Sequence, residues 1–389
     1  MLDNDTQNGA VSLLPQGLGD QLPPEALHEA AVLDKVVHAF ASMGYERVEP
    51  PLVEFEENLL NGAGQAMASH TFRLMDPISQ RMMGVRADMT PQVARIAGTR
   101  LRSVERPLRL SYAGHVLRVK GSQLRPERQF AQAGAELIGA DVPEADAEVI
   151  TLAVKALQAA GVKDISVDLS LPTVVLSIAE SLGLTKEETK SLRVALDRKD
   201  AAEVATLPAK AAEIFGTLLN ASGLADQALE KLKGLNLPDV AAAERDRLAA
   251  VLDILKSNLK DVMFTVDPVE HRGFEYQTGL SFTLFAKNIR GELGRGGRYE
   301  AGEAKEPAAG FSLYMDTVLR AAPIVAGLKR VYLPYGTEVA IGEKLRDEGW
   351  ATVAGLYADE DVPVRAKAAN CGFIWLSGEV QEVLIWAVE

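Results

Sequence analysis

The sequence predicts an α+β protein: an antiparallel sheet flanked by helices, interrupted by a helical insertion and followed by a short C-terminal α/β unit. Three observations carry that prediction. Two strand-like segments lie at 108–118 and 128–138, joined by the nine residues VKGSQLRPE. From Pro172 to about Lys260 the composition turns to Ala, Leu, Lys and Glu, and strand patterns resume at MFTV, 263–266. From about Gly327 onward, short apolar runs alternate with helical patterns, as in a β-α-β-α-β unit. The chain has 389 residues, and at about 100–200 residues per domain that allows two or three. The expected division is a sheet domain at 1–325, carrying the insertion at about 172–260, and a small domain at 326–389.

The elements follow in order. Residues 24–43 read as a helix: Pro24 is tolerated in a first turn, Leu33, Val36, Val37 and Phe40 give the i, i+3, i+4, i+7 stripe, and Gly44 is a stop signal. YERVEPPLVEF is extended, and Pro50 and Pro51 restrict it to an edge or irregular strand. In the 128–138 strand, Phe130, Gln132, Gly134, Glu136 and Ile138 share one face. Gln and Glu around a Gly fit either a solvated sheet face or a polar site. Residues 144–160 read as a helix and 165–170 as a strand. In the insertion, Thr185 and Glu188 have capping-box spacing, and Pro208 and Pro238 punctuate further helices. LSFTLFAK at 280–287 reads as a strand, RGELGRGGRYEAG at 290–302 as a glycine-rich stretch, and GFSLYMDTVLR at 310–320 as a buried helix.

Composition narrows the function. Apolar residues make up 47% and charged residues 24%, as in ordinary globular chains. The net charge of −13 argues against a general nucleic-acid coat. The single cysteine, Cys371, can form neither an internal disulfide nor a multi-thiolate zinc site, and it suits a cytoplasmic protein. No apolar run approaches the roughly 18 residues of a membrane helix, and the polar, acidic start MLDNDTQNGA is no secretory signal. The five histidines are scattered without metal-ligand spacing, so neither a metal nor a cofactor is expected. There is no GxxxxGK[ST] and no GxSxG, and Tyr299 stands where GRGGRY would need the last glycine of GxGxxG.

Against the acidic background, Arg95, Arg100, Arg102, Arg106, Arg109, Arg118, Lys120, Arg125 and Arg128 are opposed only by Glu105 and Glu127 within that stretch. Such a cluster suits an anionic ligand or an acidic partner surface. A solvated helix face explains Arg100 to Arg106 equally well.

These residues resemble a known family. The helix and Pro-containing strand at 25–54 resemble motif 1 of class II aminoacyl-tRNA synthetases, and the strand-loop-strand 108–138 resembles motif 2. The resemblance narrows to histidyl-tRNA synthetase: GVRADMTPQVAR at 84–95 is similar to its amino-group-binding segment, HRGFEYQTGLSF at 271–282 and GRGGRYEAG at 294–302 to its two histidine motifs, and GFSLYMDTVLR to motif 3. The matches run in family order over residues 13–320. The resemblance implies a class II synthetase-like sheet and a histidine pocket of Asp88, Thr90, Arg118, Gln132, Glu136, Arg272, Tyr276 and Gln277. In that pocket Asp88 pairs with the ammonium, Arg118 or Arg272 with the carboxylate, and Glu136 accepts from the imidazole, with Gln277 on its other nitrogen.

The departures fall on the ATP clamp. Where motif 3 reads Gly-Leu-Glu-Arg, this chain has Tyr314, Met315, Asp316 and Thr317. Losing an Arg at a phosphate removes about 1.5–3 kcal/mol or more. The adenine-reading acid becomes Lys120, an expected loop Arg falls on Pro126 beside Arg125, and the C-terminal unit is too short for a complete anticodon-binding domain. A kept amino-acid pocket with a broken ATP clamp resembles the regulatory subunits of short-form ATP phosphoribosyltransferase. That resemblance implies no catalytic residues, no aminoacylation and no tRNA. It also implies a hetero-oligomer with the short catalytic subunit, a self-dimer through the motif 1 region, and L-histidine as feedback effector. The alternative is an atypical histidine–tRNA ligase.

Overall fold

A computed structural model describes residues 14–60, 62–121, 125–270, 276–359 and 361–383. The chain divides into two compact units, one ending at Pro323 and the other beginning at Ile324.

The first unit is built on a nine-stranded sheet. Its order is Glu46–Arg47, Leu108–Leu117, Gln129–Ile138, Glu306–Tyr314, Gly294–Ala301, Ser281–Ala286, Ile165–Ser170, Met263–Asp267 and Gly223–Leu224. The central pairings are antiparallel, and parallel pairs occur only near the two edges. The two-residue strand after the first helix lies at the sheet edge, where the following Pro50 and Pro51 interrupt no ladder.

Each sheet face has a distinct job. On one face, Phe311 meets Phe40 of the helix Glu25–Ser42 edge-on, with ring centroids 5.6 Å apart. Val32, Val36 and Phe40 are the fully buried positions of that helix, one turn apart on a single stripe. Gly44, at φ +82°, closes the helix in the left-handed conformation that glycine adopts without penalty. The helix Pro143–Ala159 packs against the same layer and buries ten of its residues, because both the sheet and the helix Asp239–Asn258 cover it. The opposite face carries the polar residues of the strands and is covered by the segment 84–99.

Two segments differ from the sequence expectation. GFSLYMDTVLR is not one buried helix: it ends the strand Glu306–Tyr314 and begins the helix Met315–Ala321. Phe311 and Leu313 face the helices while Gly310, Ser312 and Tyr314 face the other side, so the segment has period 2, which the apolar content obscured. The solvated-face reading of Gln132 and Glu136 also fails: the two are 0% and 1% exposed, and nearly the whole strand is buried on both faces.

The insertion is helical from Val174–Ser181 to Asp239–Asn258, interrupted only by the short Gly223–Leu224 strand. Thr185 accepts from the Glu188 amide while Glu188 accepts from the Thr185 amide, a complete capping box. The second unit has a four-stranded sheet in the order Ala351–Ala354, Arg330–Leu333, Phe373–Leu376, Glu379–Glu382. The helices Val339–Asp347 and Val362–Ala368 connect the first three of these strands, which are parallel, and the fourth adds a hairpin.

Candidate functional site

Strand register brings the site together. Glu136 pairs across the ladder with Gly310, and Gly310 with Gly297. A Cβ on Gly310 would lie 1.6 Å from Glu136 Oε2, so only glycine leaves the carboxyl its place. Tyr112, Ser312, Arg295 and Tyr299 project from the same face of neighbouring strands. They line or back a cavity of ≈ 310 Å³ that also meets Asp88, Thr90, Arg118, Arg125, Tyr276 and Gln277.

The acidic end is tightly organised. Tyr299 Oη donates to Glu136 Oε2 at 2.8 Å, and Tyr112 Oη lies 3.2 Å from Oε1. Tyr112 Oη also meets Thr90 Oγ1 at 3.1 Å and Ser312 Oγ at 3.0 Å. Burial pushes the Glu136 carboxyl up to about 8, against partial relief from the Tyr299 and Thr90 hydrogen bonds. Burial also holds the Tyr112, Tyr276 and Tyr299 phenols well above their usual range, so they stay neutral donors. Asp88 Oδ1 accepts from the Thr90 amide at 2.9 Å and from Gln132 Nε2 at 3.2 Å.

Gln132 does not line the cavity. It stands behind the wall, where Oε1 accepts from the Met89 amide at 3.0 Å and Nε2 donates to Ser312 Oγ at 2.7 Å. Sequence alternation placed it correctly on the strand face but one layer too close to a ligand. Gln277 lines the cavity, and its Oε1 is buried with no hydrogen-bond partner among the described residues. Tyr276 packs edge-on against Tyr299 at 6.0 Å. Arg272 lies outside the described residues.

The other end is cationic. Arg118 donates to the Ala87 carbonyl at 3.3 Å, and its guanidinium lies 5.0 Å from the Phe130 ring centroid. Arg125 Nε donates to Asp316 Oδ2 at 2.8 Å, and the same guanidinium covers the Tyr314 ring at 3.9 Å. Arg295 pairs with Glu292. Thr317 is 1% exposed and accepts from Arg320 at 3.1 Å. Lys120 and Pro126 point to solvent while Arg125 turns inward. Tyr314, Arg125 and Asp316 thus pack on one another at this end of the cavity, Tyr314 and Asp316 standing at positions where the family resemblance expects the ATP clamp.

Most of the basic cluster has structural partners: Arg95 binds Glu54, Arg106 binds Glu306 and Arg109 binds Glu148. Sequence reasoning missed Tyr112, Ser312, Arg295 and Tyr299. Tyr299 was legible inside GRGGRYEAG, and Tyr112 from alternation within 108–118, whereas Ser312 was hidden by the helix reading. Among the described residues no His, Cys, Asp and Glu cluster could hold a metal, and no helix is long and apolar enough to cross a membrane. Two wider depressions, ≈ 590 Å³ beside the helix Lys186–Asp197 and ≈ 610 Å³ beside the helix Thr90–Thr99, lack such a convergent buried polar set.

Comparison with known proteins agrees with the geometry. The histidyl-tRNA synthetase family profile matches residues 17–318. The chain is 53% identical to the ATP phosphoribosyltransferase regulatory subunit of Rhodospirillum centenum, over 98% of this chain and 99% of that one. It is 55% identical to the regulatory subunit of Paramagnetospirillum magneticum, over 94% and 96%. In fold it is similar to the crystal structure of an ATP phosphoribosyltransferase regulatory subunit/histidyl-tRNA synthetase from Bacillus halodurans, with a TM-score of 0.81 at 23% identity over 95% and 99% of the two chains. A class II synthetase-like sheet and a cavity lined by buried polar residues therefore coincide with full-length similarity: the chain belongs to the histidyl-tRNA synthetase-like family of ATP phosphoribosyltransferase regulatory subunits.

Proposed function

We propose that the cavity binds free L-histidine and that the chain uses this binding to regulate a separately encoded, short-form ATP phosphoribosyltransferase catalytic subunit in the cytoplasm. The observation that carries the reading is the contrast between the two ends of one cavity. Asp88, Thr90, Glu136 and Gln277 line one end, while at the other Arg125 packs on Tyr314 and Asp316, two residues at positions where the family resemblance expects the ATP clamp. Asp88 pairs with the α-ammonium, Arg118 or Arg272 with the carboxylate, Glu136 with one imidazole nitrogen and Gln277 with the other. Gln132 positions Asp88. The motif 1 helix and strand mediate a self-dimer, and neither tRNA nor a membrane is a partner.

Histidine inhibits the assembly only if it binds one state better than another. A tenfold preference shifts the equilibrium by about 1.4 kcal/mol, and linkage requires the transferase substrates to weaken histidine binding by the same factor. The test is reconstitution of the catalytic subunit with this chain followed by a histidine titration. Activity should rise on assembly and fall with histidine, and Glu136→Ala should assemble but lose the histidine response. A catalytic subunit equally active alone, or a wild-type complex that ignores histidine, overturns the reading.

A further inference from the structure

The cationic end of the cavity holds more charge than one amino acid can use, and the chain cancels most of it internally. Among the described residues, three arginines line that end: Arg118, Arg125 and Arg295. Asp316 Oδ2 takes the Arg125 Nε hydrogen at 2.8 Å, and both side chains are about nine-tenths buried, at 10% and 12% exposure. Glu292 pairs with Arg295 and lies 3.9 Å from the Arg125 guanidinium. Arg118 has no carboxylate within ion-pair distance among the described residues. Among the described residues at this end, two carboxylates against three guanidiniums leave one cation uncompensated, which matches a single ligand carboxylate.

We propose that Asp316 and Glu292 are the specificity-determining residues of this site, restricting its ligands to amino-acid-sized monocarboxylates by neutralising the arginines that would otherwise attract a polyphosphate. This rests on the amino-acid-sensor reading above. Without the two acids, three guanidiniums would converge in a buried, low-dielectric space, the arrangement that binds phosphate oxygens by charge-assisted hydrogen bonds. With them, a polyanion must displace Asp316 from Arg125 and Glu292 from Arg295 before it gains more than the single Arg118 contact. The Arg125–Asp316 pair sits where solvent screens it little, and the Arg295–Glu292 pair is partly exposed. Tyr314 adds to the barrier, because its ring lies under the Arg125 guanidinium at 3.9 Å and fixes that side chain against the wall. Specificity of this kind is a difference of affinities made by an unfavourable exchange with the wrong ligand.

The experiment is calorimetric titration of the full chain with L-histidine and, separately, with inorganic pyrophosphate, for wild type, Asp316→Asn, Glu292→Gln and the double variant. The substitutions are near-isosteric and keep a hydrogen-bond acceptor, so packing is retained, and circular dichroism checks the fold of each. Pyrophosphate affinity should rise about tenfold or more in the double variant, and the gain should shrink at high salt. Histidine affinity should change less than about threefold. If the folded double variant binds pyrophosphate no better than wild type, or wild type already binds it as tightly as histidine, the assignment is overturned. If wild type binds no histidine, the sensor reading fails instead. The polyanion arm then reports on charge cancellation alone. Should the double variant not fold, the two single variants decide by the same criterion, each with a smaller gain.

Discussion

The Tyr299 phenol donates a 2.8 Å hydrogen bond to Glu136 Oε2, joining two side chains that are 3% and 1% exposed and stand on strands separated by a third. The strand between them contributes Gly310 at the crossing point, and the missing side chain is what lets the phenol reach the carboxyl. A buried carboxyl with neutral donors on one side and an open cavity on the other is held ready for a ligand that brings its own N–H.

That burial has a measurable pH signature. Glu136 is raised from 4.5 to about 8, so between those values the folded chain holds a proton that the unfolded chain has lost. Stability therefore falls as pH rises through this window: the contribution is complete below 4.5 and gone above about 8. The slope from this one group approaches about 1.4 kcal/mol per pH unit at most. Glu136→Gln removes it. Urea unfolding of both proteins from pH 5 to pH 8 should show the variant gaining on wild type as pH rises, and a pH-independent difference would count against a buried, protonated Glu136.

Gly310→Ala tests the crossing point directly. The added methyl would lie 1.6 Å from Glu136 Oε2 and 2.9 Å from the Ala135 carbonyl. Something must shift, and overpacking of this kind costs about 1–3 kcal/mol. The carboxyl is the movable partner, so histidine affinity should fall by more than about tenfold even where the variant still folds. Thermal unfolding and calorimetry together separate the two effects. Histidine bound at wild-type affinity would mean that Glu136 does not read the ligand.

Much of this was legible in the sequence, and the reasons are specific. The 129–138 strand declared itself because Gln132, Gly134 and Glu136 alternate with small apolar residues, and the helix before Gly44 because its apolar positions recur once per turn. The Glu306–Tyr314 strand did not, because its pocket-facing positions are Gly310, Ser312 and Tyr314, whose chemistry is set by the ligand space and not by a polar surface. Arg125 stands out in the sequence only as the neighbour of Pro126. Nothing local shows that it turns inward, since its partners Tyr314 and Asp316 are almost 200 residues away in the chain.

Gln132 offers a test of positioning as opposed to ligand contact. From behind the cavity wall it accepts from the Met89 amide and donates to Ser312 and Asp88, which line the cavity. Gln132→Leu keeps the volume and strands a buried N–H, at about 1–3 kcal/mol. Lower stability with weakened histidine binding is the expected pair of results. Because Gln132 acts through Asp88, adding Asp88→Ala should then weaken binding by much less than Asp88→Ala does alone in wild type. Fully additive losses would assign Gln132 a direct role.

The final expectation concerns the reaction this fold performs elsewhere. Forming an aminoacyl adenylate requires the carboxylate and the α-phosphate held in line, with the developing charge met by preorganised cations. Arg118 is placed for the first requirement, since it faces the cavity beside Asp88 and Thr90. The second fails at three points. Thr317, where motif 3 carries its phosphate-binding arginine, is buried and bonded to Arg320. Tyr314 stands where motif 3 has a small residue, its ring under the Arg125 guanidinium, and Arg125 donates to Asp316. Histidine-dependent ATP–pyrophosphate exchange should therefore stay at background for the wild type at millimolar ATP. Restoring the arginine alone, as Thr317→Arg, should not rescue it, because the bulk of Tyr314 and the Arg125–Asp316 pair remain. Exchange at a synthetase-like rate in the wild type would show that the site accommodates ATP by a rearrangement of Tyr314 and Arg125, and would return the chain to the catalytic branch of its family.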